Sequence, residues 1–133
     1  MRIYLTHCTG IKDNSIKETK EKITPDRFYQ SLPMQRFIAK CKSQNVEWAI
    51  FSDKYGIWFP DVKRGWYDKH PDSVSTTEFN LLVENFDNNL NNFSEIWFYN
   101  NPAWFHELYK KILVQSSLKK KIRMFSHLSQ INK

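Results

Sequence analysis

Apolar residues recur along this chain in two rhythms. Ile3-Tyr4-Leu5, Val46 to Phe51, Ile96 to Tyr99 and Ile122 to Phe125 are short, nearly continuous runs, and read as strands. Between them the spacing turns helical. Met34, Phe37, Ile38 and Cys41 follow a start at Ser31. Phe79, Leu82, Val83, Phe86 and Leu90 follow a cap at Thr76 or Thr77, and Phe105, Leu108, Tyr109 and Ile112 follow Asn101-Pro102. A shorter start lies at Thr24-Pro25-Asp26, with proline at the first helical position, and Pro33 interrupts it. Continuous apolar runs suit strands buried on both faces, as parallel sheets require.

Strand, helix, strand, helix, strand, helix, strand predicts an α/β fold. The expectation is a single three-layer domain over residues 1–133. Its four-stranded parallel sheet would have the order 2-1-3-4, with helices on both faces. His7 to Thr24 reads as a polar loop. Ser52 to Thr76 shows no clear period, yet carries Tyr55, Trp58, Phe59, Trp66 and Tyr67, so it folds down onto something. Residues 128–133 read as a loosely ordered end.

Composition narrows the class. Hydrophobic content is 41%, aromatic content 16%, and glycine only 3 residues, which argues against disorder. No apolar stretch nears the roughly 20 residues of a membrane span. The first residues enter a strand at once and lack a secretory core, so a cytoplasmic protein is expected. Two cysteines, Cys8 and Cys41, are too few for a disulfide framework or a cysteine-based zinc site. No histidine–carboxylate spacing fits a metal site, and no cofactor is implied. Net charge is +6. Its clusters are Lys17, Lys20 and Lys22; Lys63 and Arg64; Lys110 and Lys111; and Lys119 to Lys121 with Arg123. They fit either solvated helix faces or a polyanionic partner.

Chemically able residues follow the strands, and in an open parallel sheet such positions share the carboxyl edge where ligands bind. Cys8 and Lys12 follow the first run: Cys8 is a candidate nucleophile or a packed strand-end thiol, and Lys12 a candidate phosphate ligand. Tyr29 and Ser31 stand near a helix start, as an N-cap or an anion site. Ser52, Lys54 and Tyr55 follow the second run, where Lys54 meets a phosphate or simply solvent, and Tyr55 stacks on a base. Gly56 predicts a turn with positive φ. Asp68 is a candidate base, or satisfies a backbone donor. Asn100 follows the third run and hydrogen-bonds a base; Asn101 beside it reads as a cap. His127 follows the last run as a candidate acid or base, or a structural histidine.

Cys8-x-x-x-Lys12, Pro25-x-x-x-Tyr29-x-Ser31, Trp48 to Gly56 and Tyr67-Asp68 together resemble a family of bacterial and archaeal proteins related to the peroxide-stress protein YaaA. That family's pattern is a C-S/T-x-x-K turn, a Y-x-S segment, a strand ending S-A-K-Y-G-L, and a Y-D pair. Here the first turn is one residue longer, and Asp53 stands where the pattern has alanine. The resemblance covers roughly residues 3–70. The cysteine–lysine and tyrosine–serine elements are also similar to the lysine-transferring domain of archaeosine synthase, where tyrosine and serine stand one residue farther apart. Asn100-Asn101-Pro102-Ala103 and Ser126-His127-Leu128-Ser129 are similar to the layout of uracil-DNA glycosylases, but the water-activating loop after strand one is missing. The three resemblances imply a three-layer sheet and a site for a nucleobase or nucleotide. The expected function is an enzyme acting on a nucleic-acid base or nucleotide; the alternatives are a non-catalytic basic nucleic-acid-binding module and a stress-response sensor.

Overall fold

The computed structural model describes residues 1–100 and 105–133. In chain order its elements are β1 (Arg2–His7), β2 (Lys22–Ile23), α1 (Pro25–Phe28), α2 (Leu32–Gln44), β3 (Glu47–Ser52), β4 (Gly56–Trp58), β5 (Arg64–Gly65), α3 (Thr76–Leu90), β6 (Glu95–Tyr99), α4 (Glu107–Gln115) and β7 (Ile122–Phe125). The main sheet runs β4-β3-β1-β6-β7, and β2 pairs with β5 in a separate antiparallel ribbon. β1 is central and parallel to both β3 and β6, and β7 is parallel to β6.

The expected four-stranded, wholly parallel sheet is therefore corrected. A fifth strand, β4, folds back antiparallel on β3 and occupies that edge. Three residues are too few to show an alternating period, so the segment read as loop hid it. Gly56 makes the reversal at φ +74, and a Cβ there would lie 2.3 Å from Asn85 Oδ1. The same Asn85 oxygen accepts the Ile57 N–H at 2.8 Å, which fastens the hairpin to α3.

Alternation along the strands sorts the core into two layers. Tyr4, Trp48 and Ile50 pack with Phe37, Ile38 and Cys41 of α2. Ile3, Leu5, Phe51, Ile96 and Phe98 pack with Leu82, Phe86 and Leu90 of α3 and Ile112 of α4. Helices thus cover both faces. No described helix is long and apolar enough to cross a membrane.

Local chemistry sets the helix boundaries. Ser31 caps α2, accepting the Met34 N–H at 3.4 Å, and Asn45 ends it at φ 53. The cap of α3 is Ser75, not Thr76 or Thr77: Glu78 N–H donates to Ser75 Oγ at 3.1 Å, and Ser75 N–H to Glu78 Oε1 at 3.0 Å. That reciprocal box settles the boundary. The helix start expected at Asn101-Pro102 lies outside the described residues; the described helix begins at Glu107, capped by His106. The chain's last residues are packed rather than loose. Ile131 is fully buried, and the Tyr4 hydroxyl donates to the Asn132 carbonyl at 3.0 Å.

Candidate functional site

At the carboxyl edge, β1 passes into the His7-Cys8-Thr9 turn. The Cys8 N–H continues the ladder, donating to the Phe51 carbonyl at 2.8 Å. This fixes Cys8 beside the end of β3, where Asp53 follows. The thiol donates to Asp53 Oδ1 at 3.5 Å, and the Asp53 N–H points back to the sulfur at 3.4 Å. Tyr109, on α4, places its hydroxyl 3.1 Å from the same sulfur. With the thiol hydrogen directed at Asp53, the tyrosine O–H is left to donate to sulfur.

These groups border a cavity of about 310 Å³, within the range of ligand sites. Its lining includes His7, Cys8, Thr9 and Lys12 from the turn after β1, Lys69, His70 and Pro71 from the long segment, and His106 and Tyr109 at the start of α4. The His7 ring stacks on Tyr109 at 4.7 Å and 13°. Lys12 holds its ammonium 4.6 Å from the Tyr67 ring centroid, while Lys69 pairs with Glu78 Oε2 at 2.8 Å. His106 Nδ1 accepts the Leu108 N–H at 2.9 Å, so its Nε2 carries the hydrogen that meets Asp72 Oδ1 at 2.7 Å.

Behind the thiol lies a chain of buried hydroxyls. The Lys54 and Tyr55 N–H groups donate to Ser52 Oγ at 3.1 and 3.0 Å. Ser52 donates to the Tyr67 oxygen at 3.1 Å, which lies 2.7 Å from the Tyr29 oxygen. Phe28 stacks on Tyr67 at 5.4 Å and keeps the chain dry.

Burial controls the ionisation of this set. It pushes the Cys8 thiol up to about 11, and the nearby Asp53 charge adds to the effect. Burial also raises the Asp53 carboxyl, against the thiol's hydrogen bond and the positive charges of Lys12 and Lys69. Asp53 is 2% exposed, and its Oδ2 has no hydrogen-bond partner among the described residues. Tyr29, Tyr67 and Tyr109 are likewise pushed up by burial and stay protonated. At neutral pH the centre is a neutral thiol beside a carboxylate made more basic by its dry surroundings.

The structure thus brings Cys8 and Lys12 to one cavity, with Tyr29 and Ser52 behind it. Ser31 joins through its hydroxyl, which donates to Thr9 Oγ1 at 3.1 Å while it caps α2. Other candidates lie elsewhere. Asp68 is exposed, because Tyr67 turns inward and the next side chain of an extended segment turns out. Lys54 is exposed beside the Tyr55 ring. Tyr55 is half-buried and donates its hydroxyl to the Gly65 carbonyl at 2.9 Å, which anchors the ribbon. His127 lies past the end of β7, two strands away from β1, roughly 10 Å across the sheet. Asn100 continues the β6 ladder to the Phe125 carbonyl at 2.9 Å, and its enclosed Oδ1 has no donor among the described residues.

Asp53, Tyr67, Lys69, His70, His106 and Tyr109 complete the site without having been read as site residues. Tyr109 was hidden in the apolar stripe of a helix, and Tyr67 among loop anchors. Asp53 did leave a signal: an acid placed directly after a strongly apolar strand. No group of three or more histidine, cysteine, aspartate or glutamate side chains among the described residues is arranged to hold a metal ion. No family model, curated protein or solved structure matches this chain.

Proposed function

We propose that this protein is an enzyme that binds a nucleobase or nucleotide in the cavity beside Cys8 and works on it there. The observation that carries this reading is the meeting of the Cys8–Asp53–Tyr109 cluster with Lys12 and the stacked His7–Tyr109 pair at one end of the parallel strands. Flat aromatic rings suit a base, and the ammonium of Lys12 suits a phosphate. The resemblance of the Ser52-Asp53-Lys54-Tyr55-Gly56 turn to the YaaA-related family supports the same substrate class and a cytoplasmic setting.

Cys8 touches the substrate; Asp53, buried behind it, is a positioning residue that acts through the thiol. Because the thiol is neutral at rest, addition of sulfur to an unsaturated carbon of the base breaks the S–H bond and that carbon's π bond together: the proton passes to Asp53 Oδ1, and the π electron pair moves to the neighbouring atom of the base, which takes up a proton from solvent. Raising the carboxyl's basicity improves that transfer. Lys12 neutralises charge on the bound anion.

The test is calorimetric titration with nucleosides and nucleoside 5′-monophosphates, with alkylation of Cys8 followed by mass in parallel. One ligand per chain, protection of Cys8 by that ligand, and at least tenfold weaker binding by Lys12→Ala are expected. Absence of saturable binding, or unchanged affinity in Lys12→Ala, overturns the reading. A non-catalytic module would bind equally well as Cys8→Ala and show no turnover of any bound nucleotide.

A further inference from the structure

Cations on this protein meet carboxylates, aromatic rings or, in Arg2, both, since its guanidinium also lies 4.2 Å from the Trp97 ring centroid. Arg2, Lys42, Lys69, Lys110 and Arg123 end on carboxylates, at 2.8, 2.7, 2.8, 3.4 and 3.7 Å. A second group ends on aromatic rings. Lys17 lies 5.0 Å from the Trp66 ring centroid, and Arg64 lies 5.0 Å and Lys54 5.8 Å from that of Tyr55. Lys12 lies 4.6 Å from that of Tyr67. None of these four pairs with a carboxylate within 4.0 Å among the described residues, although Glu18, Glu21, Asp61 and Asp68 are close in sequence.

Tyr55 and Tyr67 are in contact, Trp66 precedes Tyr67 in the chain, and Tyr67, buried against Phe28, seats Lys12 without offering a free face. Trp66 and Arg64 flank Gly65 in the ribbon, where β5 pairs with Lys22-Ile23 of β2. Tyr55 is bonded to the Gly65 carbonyl and meets Tyr67 edge-on at 5.2 Å. Tyr67 carries Lys12, which lines the Cys8 cavity. Lys20 and Lys22 stand exposed along the same ribbon. A cation resting on a ring keeps its full charge, is already partly desolvated, and exchanges its ring contact at little cost.

We propose that these ring-seated cations form a track for a single-stranded nucleic acid, meeting its phosphates, and that the strand presents one nucleotide to the Cys8 cavity. Delivery rests on the nucleotide reading of that cavity; the track does not. Alternating rings and cations are the chemistry of single-strand grooves, where phosphates meet ammonium or guanidinium groups and bases stack. The run Lys119–Lys121 is the densest positive charge in the sequence, yet it precedes β7 at the opposite, amino end of the sheet, where Lys121 bonds the Asn91 and Phe93 carbonyls at 2.9 and 3.1 Å. It cannot feed the cavity, which makes it the internal control for non-specific attraction.

The experiment is fluorescence anisotropy with labelled 12-nucleotide RNA and DNA on the full chain, repeated across a salt series. Lys17→Gln combined with Arg64→Gln is expected to weaken single-strand binding at least tenfold. It should also lower the salt slope by about 1.4, because two phosphates are no longer neutralised. Arg64→Lys is expected to restore most of the binding, and matched melting curves check that the variants fold. Lys119→Gln, Lys120→Gln and Lys121→Gln together should change affinity less than twofold. The proposal fails if the Lys17/Arg64 variant binds like the parent, if the triple variant loses more, or if anionic phosphatidylglycerol vesicles bind and oligonucleotides do not. If oligonucleotides bind through the ring-seated cations while mononucleotides never protect Cys8, the track stands and the cavity reading alone falls.

Discussion

The two ends of the central sheet solve the problem of polar groups in opposite ways. At the amino end, Arg2, Glu95 and Arg123 meet at a partly solvated surface, and Lys121 covers two backbone carbonyls. At the carboxyl end, Asp53, Ser52, Tyr29 and Tyr67 are drawn inside with Cys8 half-buried beside them, and Asp53 Oδ2 and Asn100 Oδ1 are enclosed without partners among the described residues. The second set is enclosed instead of solvated, and the 52–76 segment itself brings Ser52, Asp53 and Tyr67 into it. Groups kept dry and incompletely bonded destabilise a fold; two such atoms, Asp53 Oδ2 and Asn100 Oδ1, fall at this end, while Trp97 Nε1, Arg64 Nε and Trp66 Nε1 lie away from it.

That contrast breaks or holds by measurement. Tyr67→Ala removes a ring stacked on Phe28 and the middle hydroxyl of the buried chain, and should cost about 3–5 kcal/mol in urea unfolding. Alkylation of Cys8 by iodoacetamide at pH 7 should run about 100-fold slower than for a thiol of ordinary acidity, because its pKa stands near 11 against an ordinary value of 9.0. The rate should climb through that range. The same shift has a stability sign: the folded state favours the neutral thiol, so stability falls as pH rises from about 8.5 towards 11.

Asp53→Asn should leave the fold as stable or raise it by about 1 kcal/mol, while abolishing turnover of the nucleotide that binds. The sign follows from its raised carboxyl: the folded state holds that proton more tightly, so the parent loses stability as pH climbs above the unfolded carboxyl's value of about 3.9. The asparagine variant should lose that component of the pH profile. At the amino end, Glu95→Gln should leave the unfolding midpoint nearly unchanged, since its partners are partly solvated. A large loss there, or a destabilised Asp53→Asn, would erase the distinction between the two ends.

How much of this was legible in the residues follows the same division. The apolar runs located β1, β3, β6 and β7, since each is long enough to carry a pattern. β4 and the β2–β5 ribbon were not legible: two or three residues hold no period, and what forms them is tertiary, the Asn85 and Tyr55 hydrogen bonds. Cys8 and Lys12 could be placed because they closely follow a strand. Tyr109 could not, because its apolar neighbours account for a buried ring, and only the fold shows its hydroxyl against the sulfur. Lys69 and His70 depend on how the long segment returns over the edge, which no local pattern encodes. His127 misled for a related reason. Residues after parallel strands share an edge, but one on the outermost strand is too far along it to share a cavity.

His106 ties two parts of the fold together. Its one ring serves as the first acceptor of α4 and as the donor to Asp72 in the turn that borders the cavity. That turn cannot swing outward unless it breaks the Asp72 bond or draws the start of α4 with it. The same helix carries Tyr109, whose hydroxyl rests on the sulfur. The border of the cavity and the hydrogen bonding of the thiol are therefore joined through the two ends of one short stretch, His106 and Tyr109.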